Sequence, residues 1–401
     1  MQMTPTTKGK GLLKAKGARA EPSKVKPAAR KDFGHLTHEA TREEPKPLVA
    51  TRTGFHGLKF VLPPALDPQG PPNAGRNFDQ RYRQYHDRLH RAGTIRGWLQ
   101  LAELCRGKSR LVAALCLAFT GPVCGAFGYK APGLQFVSDR HRDLGETAIG
   151  RVAATVWGGK LAQLDISAWA ARDDPSKLGC GVSGSGMNDS LKVVARAFNQ
   201  MLLSLDHPHD KEDTLIEIMN GDGQSRWTKT QGARLRVPLL SASVHPFVRT
   251  AERPDQRQAL IDSIVDIPVY PGWTVSFVRE VQEFERRLNV LCGNFGWAGP
   301  EFVRRLTKEL ERDHAGEQAS RSPMRAIVDE LRKKYWDQAA DIKSRGHDLT
   351  RITDQFATIY VAGCLAIQFK ILPFTETEVR LWLLICQRDS VAFVDRQLGA
   401  W

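Results

Sequence analysis

From Trp98 to about Pro271 the chain alternates short apolar runs with stretches of helical period. No other feature restricts the fold as much, because strands that are each followed by a covering helix make an α/β protein with a parallel sheet. The predicted strands are Leu134–Ser138, Met201–Leu205, Val237–Ser241 and Ile264–Val269, with predicted helices Ala148–Trp157, Ser190–Phe198 and Thr214–Met219 between them. From Val275 onward the period becomes helical throughout. The expected helices there are Val275–Leu291, Pro300–Asp313, Pro323–Ile342, Leu349–Phe369 and Thr375–Gln387. No internal repeat is present.

Charge is concentrated at one end. Nine basic residues and the single acid Glu21 lie within residues 1–31, so this stretch holds +8 of the net charge of +14. Rich in Lys, Gly, Ala and Pro and without an aromatic before Phe33, it buries too little apolar surface to offset its ordering entropy. Residues 45–75 then carry seven prolines around one apolar run, Leu58–Leu62, which predicts a linker with one strand at most. Between Phe78 and His90, Arg81, Arg83 and Arg88 alternate with Tyr82 and Tyr85. Such a helix can lie on phosphate or simply face solvent. The expected order is a disordered basic tail (1–50), a Pro-rich linker with a basic helix (51–94), an α/β core (95–272) and a helical C-terminal region (273–401).

The seven cysteines form no Cys-x-x-Cys pair and are expected to be buried reduced thiols of a cytoplasmic protein. Leu111–Tyr129 is uncharged and almost long enough to span a bilayer, but Gly121-Pro122 interrupts it. A core helix ending at Gly121 is expected instead, and no membrane association.

The chemistry is expected after the strand Leu134–Ser138, where Arg140–Thr147 leads into the helix beginning at Ala148. A strand, a loop and a helix N-terminus can wrap a phosphate chain, and the known pattern is Gly-x4-Gly-Lys-[Ser/Thr]. Gly145 and Thr147 fill two of its four defined positions, while Arg140 replaces the first glycine and Glu146 replaces the lysine. An anion thus stands where a cation is needed. Two like charges about 4 Å apart repel by about 4 kcal/mol at an effective dielectric near 20.

Met201–Asp206 is an apolar run ending in an acid, followed by His207. This suits a magnesium-orienting Asp206 with His207 where a water-activating carboxylate would stand. The run Leu239–His245 offers Ser241 and Ser243 as polar sensors of a terminal phosphate. The alternative for His207, His209, Asp210 and His245 is a metal site, although no further ligand spacing accompanies them.

In order along the chain, Gly145-Glu146-Thr147, Val152–Gly158, Leu191–Ala195, Leu202–Asp206, Met219–Arg226, Leu239–Ser243 and Val265–Pro268 resemble a helicase-like domain of unknown function, number nine-two-seven. That family comprises superfamily II helicases of mobile elements and their inactivated derivatives. Phe356–Gly363 and Ile371–Glu376 resemble its helical end, so the likeness spans about 95–390. The resemblance implies a P-loop NTPase-like core of RecA or AAA+ type. It also implies that Thr147 and Asp206 would face magnesium, that Gly145, Glu146, Thr147, Ser241 and Ser243 would line the ATP site, and that Arg226 would be a conformation-sensing or trans-acting arginine in a homo-oligomeric ring. Departures fall on the charged positions: Glu146, His207, Gln224 and His245.

The expected function is an inactivated helicase-like protein of a mobile genetic element, with a vestigial ATP and magnesium site and no required cofactor. DNA, met by the tail and the Arg-rich helix, or a replication protein would be its partner. One alternative is a divergent active DNA-dependent ATPase that uses ATP and magnesium, with Arg140 or Arg142 neutralising phosphate. Another is a structural or regulatory ring subunit that binds no DNA. The tail could also be a solubilising leader.

Overall fold

The structure, a computed structural model, describes residues 52–67, 78, 82, 85–87, 89–138, 144–159, 163–165, 186–206, 212–221, 234–250, 253–270, 278–315, 322–344 and 348–399. The chain divides into Met1–Lys46 and Pro47–Trp401, and all described residues belong to the second unit.

A hairpin comes first, β1 (Gly54–His56) against β2 (Lys59–Val61), followed by a 3-10 turn at Pro64–Leu66. The apolar run Leu58–Leu62 therefore supplies the second strand of a pair, and Val61, Leu62 and Leu66 are buried. Thr53 ties the hairpin to the core. Its Oγ1 donates to the carbonyls of Ala197 (3.2 Å) and Asn199 (2.9 Å), and Asn199 Nδ2 donates back to Thr53 O at 2.9 Å.

The main sheet has five strands: β3 (Gly133–Ser138), β4 (Gln163–Asp165), β5 (Leu203–Asp206), β6 (Leu239–Ser243) and β7 (Val265–Val269). Their order is β4-β5-β6-β3-β7 and every pairing is parallel. Burial on both faces explains why β3, β6 and β7 read as largely apolar runs. The fold is thus mixed α/β, as the alternation predicts.

Helices cover both faces. Ahead of the sheet lie α1 (Ile95–Leu104), α2 (Ser109–Ala118) and α3 (Thr120–Phe127). Within it come α4 (Leu144–Ala154), α5 (Gly186–Ala197), α6 (Glu212–Met219), α7 (Phe247–Thr250) and α8 (Pro254–Ser263). After it follow α9 (Val278–Leu291), α10 (Ala298–Ala315), α11 (Pro323–Ala339), α12 (Thr350–Gln368) and α13 (Glu376–Gly399). The step from β3 to β4 crosses the sheet in one sense, while β4 to β5 to β6 to β7 runs in the other. Right-handed crossovers then place α4 on one face and α5, α6 and α8 on the opposite face. Consistently, α4 packs on α2, and α6 packs on α8.

The apolar stretch after Arg110 does not end its helix at Gly121. It breaks after Ala118, bends by 44° and continues as α3. Pro122 sits in the first turn of α3, where its missing N–H costs nothing. Gly121 is required because a Cβ there would lie 2.4 Å from the Gln200 carbonyl oxygen. Among the described residues no single helix is long and apolar enough to cross a membrane. This bent pair alone meets the test of length and composition, and most of it is buried within the protein. Arg110, also buried, is paired with Asp389 at 2.5 Å and donates to Pro268 O, joining α2, α13 and β7.

The tyrosines of the Arg-rich stretch face inward. Tyr82, Tyr85, His86 and Leu89 are buried at the spacing of one helical face, whereas Arg81, Arg83 and Arg88 lie outside the described residues. His86 Nε2 donates to Ala197 O at 3.1 Å, a bond that by itself favours the protonated ring. Burial lowers its pKa below the ordinary 6.5. The unfolded chain then takes up the proton first, so this contribution is complete above pH 6.5 and is lost as pH falls through the depressed folded value. Urea midpoints measured from about pH 7.5 down to about 5 are expected to fall, and to fall less in a His86→Asn variant. Identical curves for the two proteins would contradict this.

Candidate functional site

Parallel pairing brings the carboxyl ends of β3, β5 and β6 to one edge of the sheet, where register matches Asp206 with Ala242, Phe136 with Ala242, and Val137 with Ser243. The chain leaves the neighbouring strands β3 and β6 toward opposite ends of the sheet. At such a switch point a crevice opens beyond the strand ends, and open α/β sheets bind ligands there.

α4 starts at Leu144, four residues earlier than the sequence suggests. Gly145, Glu146 and Thr147 are therefore the second, third and fourth residues of the helix, and the connection from β3 is residues 139–143. The reason is visible in the chain: Asp143 precedes the helix and Glu146 is its third residue, the spacing of a capping box. Acids in a first turn complement the helix dipole.

The turn after α4 fixes its seat. Trp157 is buried, its Nε1 donates to Ala118 O at 2.8 Å, and a Cβ on Gly299 would lie 2.4 Å from its ring. Trp98 Nε1 donates to Thr155 Oγ1 at 3.1 Å, and the carbonyls of Thr155 and Val156 accept from the N–H groups of Gly296 and Gly299, both at 2.9 Å. The tryptophan-glycine motif is thus a packing joint that holds the helix beneath the crevice.

Asp206 is the last residue of β5. Ser243 is the last residue of β6 and is buried, and its Oγ accepts from His245 N at 3.0 Å. Ser241 lies deeper. Its hydroxyl donates to Gln135 Oε1 at 2.9 Å, and Gln135 Nε2 donates to Asp266 Oδ1 and to His245 O, each at 3.0 Å. Register pairs Gln135 with both Ser241 and Asp266, so one polar row crosses β6, β3 and β7 inside the sheet. Sequence reasoning missed Gln135 and Asp266; their signal is a polar residue in the middle of an apolar strand. The side chains of Glu146, Thr147 and Asp206, and all of His207, His209, Asp210, Gln224 and Arg226, lie outside the described residues. Among the described residues no group of His, Cys, Asp and Glu could hold a metal ion.

The sequence profile of a family described as Domain of unknown function (DUF927) matches residues 6–236, more than half of the 401. The chain belongs to that family. The DUF927 match begins inside the basic stretch and ends before β6, so it starts earlier and stops sooner than the span of about 95–390 that the motifs suggest. A solved structure described as "SCCmec type IV Cch - active helicase" is similar in fold, with a TM-score of 0.54 and 13% identity. The likeness covers 83% of this chain and 57% of that helicase, so this DUF927 protein spans little more than half of its length. No curated protein matches the chain.

Proposed function

We propose that the chain is an inactivated helicase-like protein of a mobile genetic element, with a P-loop-type scaffold that binds DNA or a replication partner and turns over little or no ATP. One observation carries the reading: Glu146 stands in the first turn of the helix that follows β3, at the edge where β5 ends in Asp206 and β6 in Ser243. A triphosphate needs a cation at that turn. On this reading ATP fits poorly, because a carboxylate in that turn would repel the phosphates. Thr147, Asp206 and Ser243 keep the polar outline of a nucleotide site without its charge balance. The basic residues of the N-terminal stretch supply salt-dependent, sequence-independent attraction to phosphate.

A second reading, a divergent active DNA-dependent ATPase, is favoured by the description of the structural neighbour as an active helicase. Duplex-DNA binding and DNA-stimulated ATP turnover, measured on one preparation, separate the two. Binding that weakens with salt, without turnover above background, is expected. Turnover abolished by Asp206→Ala would overturn the proposal.

A further inference from the structure

The opposite edge of the sheet carries charge that the crevice does not use. Gly133 and Leu239 are paired in register, and Lys130 and Arg236 each stand three residues upstream of one of them, at matching places before β3 and β6. Arg351 lies in the first turn of α12, and Gln355, one turn further on, accepts the Gly133 N–H at 2.9 Å. This brings Arg351 to the same edge. Arg52 joins the edge from the hairpin side through its neighbour Thr53, whose partner Asn199 accepts the Arg236 N–H at 3.1 Å.

These cations form like-charge neighbours. Burial and then Arg236 lower the Arg52 pKa, while burial and then Arg351 lower that of Lys130, with Tyr82 and Asp262 respectively opposing the shift. Lys130 is exposed and its Nζ donates to Asn220 Oδ1 at 3.0 Å and to Ser263 Oγ at 3.4 Å, neither of them an anion. Beside it Tyr129 lies between two guanidinium groups, Arg332 at 4.1 Å and Arg325 at 5.2 Å from the ring centre. Asp354 and Asp329 pair with Arg332 and Arg325, whereas Lys130 and Arg351 are exposed, with Asp262 and Asp348 respectively as the acids within electrostatic reach of them. Holding cations side by side costs free energy that a polyanion laid across them would recover.

We infer that this amino-terminal sheet edge, with Lys130 and Arg351 at its centre, is a phosphate-binding face for nucleic acid in the folded core, separate from the basic N-terminal stretch. It rests on the DNA-binding part of the proposed function. Cations on adjacent elements can meet phosphates of one strand, and such contacts position it without reading sequence.

The test is a titration of labelled duplex DNA with the full chain over a range of salt. Reversal of Lys130→Glu with Arg351→Glu is expected to make the log–log salt slope shallower by about two and to weaken binding at low salt by about tenfold or more. Reversal of Arg304 and Arg312, exposed on α10, should change neither. If the double reversal does not fold, Lys130→Gln with Arg351→Gln carries the test, since loss of two phosphate contacts again makes the slope shallower by about two. An unchanged slope, with binding lost instead when the lysines of residues 8–31 are reversed, overturns the inference and leaves the proposed function standing. Failure of the wild-type chain to bind DNA overturns both. A double reversal that releases the protein from polyglutamate but not from DNA overturns the inference in favour of an acidic protein partner.

Discussion

Trp157→Ala is expected to destabilise the protein by about 3–5 kcal/mol, the cost of emptying a large aromatic site in a core that collapses only partly. The ring is almost fully buried, it fills the space that Gly299 leaves by lacking a Cβ, and its N–H satisfies the carbonyl at the break between α2 and α3. Truncation empties the slot and orphans the Ala118 carbonyl in one step. The same turn seats α4, which packs on β3, β4, β5 and β6, so the loss spreads to the helix that carries Glu146 and Thr147. Chemical denaturation with a fluorescence or circular-dichroism readout measures the change. A loss below about 1 kcal/mol would mean that the joint is not what holds α4.

Much of this architecture is legible in the chain. β3 and β7 are apolar, bounded by Gly or Pro, and fall within one residue of their predicted ends. β6 is displaced by two residues, because Val237-Pro238 reads as the start of a strand while the observed ladder begins after the proline and runs through Ser241-Ala242-Ser243. Polar residues inside a buried strand weaken its hydrophobic signal when their partners lie on neighbouring strands. Single ones, Gln135 in β3 and Asp266 in β7, leave the strand readable, while Ser241 and Ser243 together obscure the end of β6. β4 is only Gln-Leu-Asp and carries no apolar run to announce it; its place comes from pairing with β5.

α13 extends to Gly399 rather than Gln387. Arg388-Asp389-Ser390 looks like a helix end, yet Gln387, Ser390, Val391 and Val394 are buried on one face against the sheet and α2. Asp389 is the partner of buried Arg110, a contact 279 residues distant in sequence. As for the candidate site, its elements could be read from the sequence in their correct order. The start of α4 is not legible in the same way, because the phosphate-site pattern assigns residues 144–147 to a loop, while the Asp143–Glu146 spacing is that of a capping box.

Glu146→Lys is expected to raise the affinity for magnesium-ATP by about three powers of ten or more, since removing a repulsion of about 4 kcal/mol accounts for about three and the lysine restores an attraction at the same turn. The exchange costs the helix a favourable first-turn charge of about 0.3–1 kcal/mol, too little to unfold α4. Titration of labelled ATP against the wild-type chain and this variant tests the account most directly. Weak or undetectable wild-type binding with a large gain in the variant is the predicted result. Tight binding by the wild-type chain, or no gain from the lysine, would contradict it.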